Sequence, residues 1–135
     1  YETRDGKYIS IGSIEPQFYA LLIEKAELDP EVFKAQHNQK KWPELKIKLA
    51  EVIKTKTRDA WSTIMEGTDV CFAPVLDYKE APSHPHNKER GTYIELDGIT
   101  QPAPAPRFSR TVSEIRSGSA IPGEHTEEVL KDWLD

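Results

Sequence analysis

The apolar pattern near the start of the chain changes from that of a strand to that of a helix. Ile9 and Ile11 alternate with polar or small residues, which is typical of a half-buried strand. Pro16 suits a first helical turn, and apolar residues then recur every three or four positions, namely Phe18, Leu21, Leu22 and Ala26. The pattern therefore predicts a strand-to-helix junction at Glu15.

Further helices are predicted between residues 29 and 67. Asp29 can cap a short helix that runs to about Gln36. A longer helix begins near Trp42, and its apolar face contains Leu45, Leu49, Val52 and Ile53. Thr57 can cap the next helix, whose apolar side contains Trp61, Ile64 and Met65.

Two dipeptides, Asp5-Gly6 and Asp97-Gly98, lie between strand-like residues and each predict an antiparallel hairpin. The second hairpin falls within residues 92–101. Residues 70–76 form a continuous apolar run with β-branched members, which predicts a short, partly buried strand with Cys71 in the core.

The last part of the chain is rich in proline. Pro82 and Pro85 break a stretch of helical turns, and the alternate prolines at 102, 104 and 106 exclude helix and central strand. A closing helix is expected over residues 124–134. We therefore predict an α+β fold with short antiparallel hairpins and several helices, ending in an extended Pro-rich connector and a C-terminal helix.

The composition narrows the function classes. A chain of 135 residues fits one domain, and a net charge of −5 argues against a general nucleic-acid binder. Cys71 is the single cysteine, so an internal disulfide is excluded, and the sequence contains no apolar run near the roughly 20 residues that a membrane span needs. We expect a cytoplasmic protein, or a peroxisomal or mitochondrial one in a eukaryote. The start without Met leads us to expect part of a longer chain.

Glu15 is the best-placed candidate site residue. A carboxylate at a helix start lies near unpaired backbone N–H groups and the positive end of the helix dipole, so it can stay ionised at the edge of the fold. An N-cap explains the same position, because acidic residues are common at helix starts. Position alone does not make Glu15 catalytic.

Two other features have a plain and a functional interpretation. His84 and His86 could ligate a metal with a third group, but no recognisable metal-site spacing is present and a solvated loop explains them. Residues 40–58 are locally basic. They form either a solvated face offset by Glu44, Glu51 and Asp59 or a surface that meets the phosphates of an anionic ligand.

Several co-linear blocks resemble the α-methylacyl-CoA racemases of the family III CoA-transferase superfamily. These blocks are Asp5–Tyr8 with Ile11–Phe18, Gly67–Leu76, His86–Gly91, Gln101–Arg110 and Gly123–Leu130. The resemblance implies a small α+β domain over residues 1–106 and a tail over residues 107–135. The tail would pack on a large Rossmann-like domain outside this chain, and the whole protein would form an interlocked homodimer.

The resemblance also implies a reaction. A 2-methylacyl-CoA thioester would be epimerised by removal and return of its α-proton through an enolate, without metal or organic cofactor. The family's proton-transfer pair is a His and an Asp of the large domain, so none of the four histidines here inherits that role. The isolated chain is therefore predicted to be inactive.

Glu15 matches a family carboxylate that enters the active-site cleft and joins the hydrogen-bond network around the catalytic groups. Ile14, Gln17 and Phe18 are implied as neighbours that contact substrate. Two alternatives remain open. The whole protein could be a family III CoA-transferase that forms a mixed anhydride on an upstream carboxylate, or the chain could be a stand-alone binding or assembly module.

Overall fold

A computed structural model describes residues 1–134, and the chain divides into two compact units, one from Tyr1 to Asp77 and one from Tyr78 onward. Within the described residues, six α-helices and two two-stranded antiparallel sheets make an α+β fold, which confirms the predicted class. The proposed boundary at residue 106 concerns packing on a domain outside this chain and stays a prediction. Asp135, the last residue of the predicted tail, lies outside the described residues.

The first unit contains most of the helices. Its elements in order are β1 (Tyr8–Ile11), α1 (Pro16–Lys25), α2 (Pro30–Phe33), α3 (Trp42–Ile53), α4 (Arg58–Met65) and β2 (Phe72–Val75), with a 3-10 turn at Gln39–Lys41 before α3. No helix in the described part of the chain is long and apolar enough to cross a membrane.

Two of the predicted helix caps form as expected. Asp29 Oδ1 accepts a hydrogen bond of 2.9 Å from the backbone N–H of Glu31, and Thr57 Oγ1 accepts one of 3.2 Å from that of Ala60. Each side chain thereby satisfies one of the backbone donors that a helix start leaves unpaired. The helix after Asp29 ends at Phe33 and not near Gln36, so its predicted C-terminal end was wrong.

The predicted first hairpin around Asp5-Gly6 forms, with an isolated bridge in place of its first strand. Gly6 forms the turn with φ +74°, and a bridge joins Glu2 to Tyr8. The backbone N–H of Thr3 donates to the carbonyl of Lys7 at 2.8 Å, and that of Ile9 donates to the carbonyl of Tyr1 at 2.9 Å. The main partner of β1 is β2, in antiparallel register from Tyr8 opposite Val75 to Ile11 opposite Phe72. β1 is therefore paired on both edges, and its Ile9 is buried in the core of the unit.

The core of the first unit lies between its helices and β1. The buried apolar side chains are Ile9, Leu22, Ala26, Leu28, Phe33, Leu45, Leu49, Ile53, Trp61, Met65 and Val70. Trp61 is fully buried, and its indole N–H donates a 2.7 Å hydrogen bond to the backbone carbonyl of Ile53. The polar atom of the largest core side chain is therefore satisfied.

Cys71 does not belong to this core, contrary to the expectation. Val70 is fully buried while Cys71 is exposed and has φ +58°. The left-handed backbone at Cys71 turns its side chain outward just before β2 begins. The short, partly buried strand predicted within residues 70–76 forms as β2, but the continuous apolar run did not predict which positions face inward.

The second unit consists of short elements. It contains a 3-10 turn at Ala81–Ser83, α5 (Pro85–Glu89), β3 (Tyr93–Leu96), β4 (Ile99–Pro102) and α6 (Thr126–Leu134). β3 and β4 form the predicted hairpin, and Asp97 and Gly98 have φ +53° and +76°, as a two-residue turn with a primed geometry requires. None of the described residues from Tyr78 onward reaches full burial, so this unit has no closed core of its own.

Candidate functional site

The residues that join β1 to α1, Gly12–Glu15, form a segment that we call the junction segment. One side of it is held by the chain before β2: the backbone N–H of Gly12 donates to the carbonyl of Cys71 at 2.9 Å, and the hydroxyl of Ser13 donates to the carbonyl of Val70. Both bonds connect parts of the chain that are far apart in sequence. The position of Glu15 is therefore set by tertiary contacts as well as by the local helix start.

Glu15 occupies the predicted N-cap position of α1 with an extended backbone, φ −71° and ψ 148°. Its carboxylate is exposed and makes no capping hydrogen bond, so the interpretation of Glu15 as a side-chain cap was wrong. Pro16 follows at the first helical position, where its missing N–H leaves one unpaired backbone donor fewer at the helix start. The carboxylate thus lies at the surface beside the positive end of α1.

A third contact holds the junction segment through the chain between α2 and α3. The side-chain amide of Gln36 donates to the carbonyl of Ile14 at 2.8 Å and to that of Ser13 at 3.3 Å. The indole N–H of Trp42 in turn donates to the backbone carbonyl of Gln36 at 2.8 Å. The start of α3 is thus connected to the backbone immediately before Glu15.

These contacts surround an open cleft in the first unit with a volume of about 370 Å³. Its walls are mainly apolar and aromatic, and the residues that line it include Tyr1, Ile14, Tyr19, Gln36, Trp42 and Lys46. Ile14 is 72% exposed and lines this cleft, and its contact with substrate stays a prediction. Glu15, Gln17 and Phe18 do not line it, so the structure brings one of the four predicted site residues to the cleft.

Two tyrosines line the cleft. The hydroxyl of Tyr19 donates to the backbone carbonyl of Phe33 at 2.9 Å. Burial raises the pKa of Tyr19, and the nearby Tyr1 raises it further, while burial also raises the pKa of Tyr1. Both phenols therefore stay neutral near pH 7 and offer hydroxyl groups, not charges, to the cleft.

The basic stretch of residues 40–58 largely faces solvent and pairs with acids. Glu44 accepts from Lys48 at 2.9 Å and from Lys41 at 3.2 Å, and these hydrogen bonds, that from Lys48 first, lower the pKa of Glu44. Lys54 pairs with Glu2 at 2.7 Å. Lys46 differs from these because its side chain lines the cleft, so it is the lysine of this stretch that could meet an anionic group there.

Arg58 does not belong to the solvated face in which the sequence placed it. It is only 6% exposed, its Nη1 donates to the carbonyl of Val75 at 2.9 Å, and its Nη2 lies 3.3 Å from Asp59 Oδ1. Its backbone N–H donates to the carboxylate of Asp5 at 3.1 Å. Arg58 is therefore a buried structural cation that joins the start of α4 to the end of β2.

The paired histidines lie at the start of α5. His84 is its N-cap residue, and His86 lies in its first turn. Across residues 1–134, no group of three or more His, Cys, Asp and Glu side chains is arranged to hold a metal ion.

Gln36 and Trp42 are site residues that the sequence did not indicate. Gln36 was predicted only as the end of a short helix, and its bonds to the junction segment span 22 and 23 positions. The sequence pattern around a polar residue after a short helix does not predict a hydrogen bond to so distant a residue. Next to Gln36, the side chain of Asn38 accepts a 3.2 Å hydrogen bond from the N–H of Lys40, so the turn before α3 is also ordered by a local contact.

Comparison with known proteins identifies the protein family to which this chain belongs. Residues 1–126 match the model of CoA-transferase family III, and the chain belongs to this family. It is 44% identical over 98% of its length to alpha-methylacyl-CoA racemase of Mus musculus and 41% identical to that of Homo sapiens. The chain spans 35% of the length of each of these relatives.

More distant relatives include other activities of the family. Human succinyl-CoA:glutarate CoA-transferase is 28% identical over 99% of this chain, which covers 33% of that protein. A crystal structure of Rv3272 from M. tuberculosis superposes with a TM-score of 0.71 at 19% identity, covering 94% of this chain and 36% of the solved chain. At this identity the structural likeness shows the fold alone.

Proposed function

We propose that this chain is the C-terminal part of an isomerase that epimerises 2-methylacyl-CoA thioesters. The observation that carries the proposal is the identity of 44% and 41% to two mammalian racemases over nearly the whole chain, against 28% to a CoA-transferase of the same family. The blocks around the junction segment, which contains Glu15, also resemble the racemases.

The proposed reaction is a proton transfer at carbon. A base removes the α-proton, and the electron pair of the broken C–H bond moves into the thioester carbonyl to give an enolate. A proton is then returned to the opposite face of the α-carbon, which inverts its configuration. The reaction uses no metal and no organic cofactor in this proposal, and the two proton-transfer groups belong to the large N-terminal domain.

Glu15 is proposed to act within this reaction without being one of the two bases. Its carboxylate is exposed at the start of α1 and is not used as a cap, so it remains available to groups outside the unit. A fixed negative charge beside a His and Asp pair would change their pKa values. We propose that Glu15 reaches the active site across a domain interface of an interlocked homodimer.

The cleft of the first unit is proposed to contact the acyl-CoA. Ile14, Tyr19 and Trp42 give it an apolar lining suited to an aliphatic chain, and Lys46 adds a positive charge. Contact between the basic stretch and CoA phosphates would involve Lys46 first, since Lys41 and Lys48 already pair with Glu44.

The proposal is tested with the full-length protein and a single epimer of a 2-methylacyl-CoA in D₂O. We expect interconversion of the epimers with solvent deuterium incorporated at the α-carbon, in the absence of any acceptor acid. The isolated 135-residue chain should give only the background of a heat-denatured sample. Stereospecific exchange by the isolated chain would show that the proposed dependence on a large domain is wrong.

The same assay distinguishes the alternative of a family III CoA-transferase. A transferase would move CoA to a carboxylic acid acceptor through a mixed anhydride and would leave the α-carbon untouched. CoA exchange that requires an acceptor, without loss of the chiral centre, would replace the racemase proposal by the transferase one.

A further inference from the structure

We propose that Gln36 is a positioning residue that fixes the backbone of the junction segment and thereby the direction of the Glu15 carboxylate. The inference rests on the proposed function for its catalytic consequence. Its structural part, that Gln36 orders residues 12–15, can be tested without any activity.

The geometry assigns one role to the Gln36 side chain. Its two partners are both backbone carbonyl oxygens, those of Ile14 at 2.8 Å and Ser13 at 3.3 Å. Carbonyls only accept, so only the amide NH₂ of Gln36 can face them, and its two hydrogens match the two acceptors. The assignment of nitrogen and oxygen in this side chain is therefore fixed by its partners.

The carbonyls of Ser13 and Ile14 receive no hydrogen bond from the backbone of α1. They belong to residues that precede the first helical turn, and the backbone before Pro16 is extended, so no helical N–H reaches them. Gly12 and Ser13 are held by hydrogen bonds to the carbonyls of Cys71 and Val70. With Gln36 the junction segment is held by two separate parts of the chain, and Glu15 is its last residue.

Gln36 is itself held in place. The indole of Trp42 donates to the Gln36 backbone carbonyl at 2.8 Å, and Trp42 is the first residue of α3. Through Trp42, α3 therefore holds the backbone of Gln36 in place. The side-chain amide of Gln36 in turn holds the carbonyls of Ser13 and Ile14, immediately before Glu15. A side chain that acts through another in this way changes the geometry of a site without touching substrate.

The test uses three variants of the full-length protein. Gln36→Met keeps the length of the side chain and removes both donors, and Gln36→Lys restores donors on an unbranched chain. Gln39→Met is the matched control, because Gln39 is an exposed glutamine of the adjacent 3-10 turn. Each variant is also made with Glu15→Gln.

The first measurement is amide hydrogen exchange. We expect a peptide that covers residues 11–19 to exchange faster in Gln36→Met than in wild type, while Gln39→Met and Gln36→Lys stay close to wild type. Unchanged exchange in Gln36→Met would overturn the inference whatever the enzyme does.

The second measurement is steady-state epimerisation over a range of pH. We expect Gln36→Met to lower kcat about ten-fold with KM within about two-fold, because the site loses orientation and not substrate contacts. Its effect should disappear when Glu15 is already Gln, whereas two independent contributions would multiply. Equal effects of Gln36→Met in both backgrounds would overturn the link to Glu15.

The two failures can be told apart. A wild-type protein that does not epimerise would reject the proposed function while the exchange experiment still decides the role of Gln36. A wild type that epimerises, with Gln36→Met equal to Gln39→Met in kcat and exchange, would reject only the inference.

Discussion

The guanidinium of Arg58 donates a 2.9 Å hydrogen bond to the backbone carbonyl of Val75, although Arg58 stands in the most basic stretch of the sequence. Val75 is the last residue of β2 and pairs with Tyr8 of β1. Because β1 leads into the junction segment, this buried cation supports the sheet from which Glu15 is presented.

Replacing Arg58 should destabilise the protein much more than replacing an exposed lysine. Arg58→Met keeps the apolar part of the side chain but leaves the Val75 carbonyl without this charged donor, and we expect a loss of about 2–3 kcal/mol in the free energy of unfolding. Lys54→Met, which removes the exposed pair with Glu2, should cost only about 0.5 kcal/mol. Urea unfolding of both variants makes the comparison, and equal losses would contradict the structural role of Arg58.

Asp5 should make stability depend on acid pH. The hydrogen bond from Thr3 and that from the backbone N–H of Arg58 lower the pKa of Asp5 below its ordinary value of 3.8, against the opposing effect of burial. The stabilisation is therefore present above about pH 4 and is lost as the pH falls through the lower folded-state pKa.

The measurement is urea unfolding between pH 3 and pH 7. Asp5→Asn should be less stable than wild type at pH 7, and the difference should shrink toward pH 3. Asp69→Asn, at another exposed aspartate of the same unit, is the control and should run parallel to wild type. A constant difference between wild type and Asp5→Asn at every pH would show that the ionised carboxylate is not the stabilising form.

The last helix, α6, should exchange its amide hydrogens rapidly in the isolated chain. Its apolar residues Val129, Leu130, Trp133 and Leu134 are 47–81% exposed, so little burial stabilises a helix of only 9 residues. The amides of α3, which has three buried residues, serve as the internal reference. Exchange in α6 as slow as in α3, in a sample shown to be monomeric, would contradict this expectation.

Glu15→Gln in the full-length protein should change catalysis and not stability. The carboxylate makes no capping bond, so the thermal midpoint should change little, with helix-start electrostatics worth about 0.3–1 kcal/mol. If its charge tunes the proposed bases, kcat should fall about ten-fold or more and the pH–rate profile should shift.

The control for Glu15→Gln is Glu24→Gln, at an exposed glutamate of the same helix. It should leave both the midpoint and the pH–rate profile unchanged. Coincident kcat profiles for wild type and Glu15→Gln, with only a lowered midpoint, would reduce Glu15 to a helix-start residue.

The sequence alone determined those features whose contacts are local. Asp29 and Thr57 cap their helices through amides two and three residues away, and Asp97-Gly98 forms its hairpin because both residues take the left-handed backbone that the turn needs. The amphipathic helix from Trp42 to Ile53 was predicted for the same reason, since its apolar spacing matches the helical period. The location of Glu15 at the start of α1 also followed from the adjacent Pro16.

Only the tertiary structure decided what depends on distant partners. The pairing of β1 with β2, the burial of Arg58, the outward turn of Cys71 and the bonds from Gln36 to the junction segment each join residues that are far apart in sequence or depend on which face is covered. The stability of a turn or a cap depends on neighbouring residues, so the sequence can predict it. The free energy of the contacts between distant residues comes from excluding water between elements that meet only when the chain has folded. For this reason the sequence located the carboxylate, and the fold alone shows what holds it there.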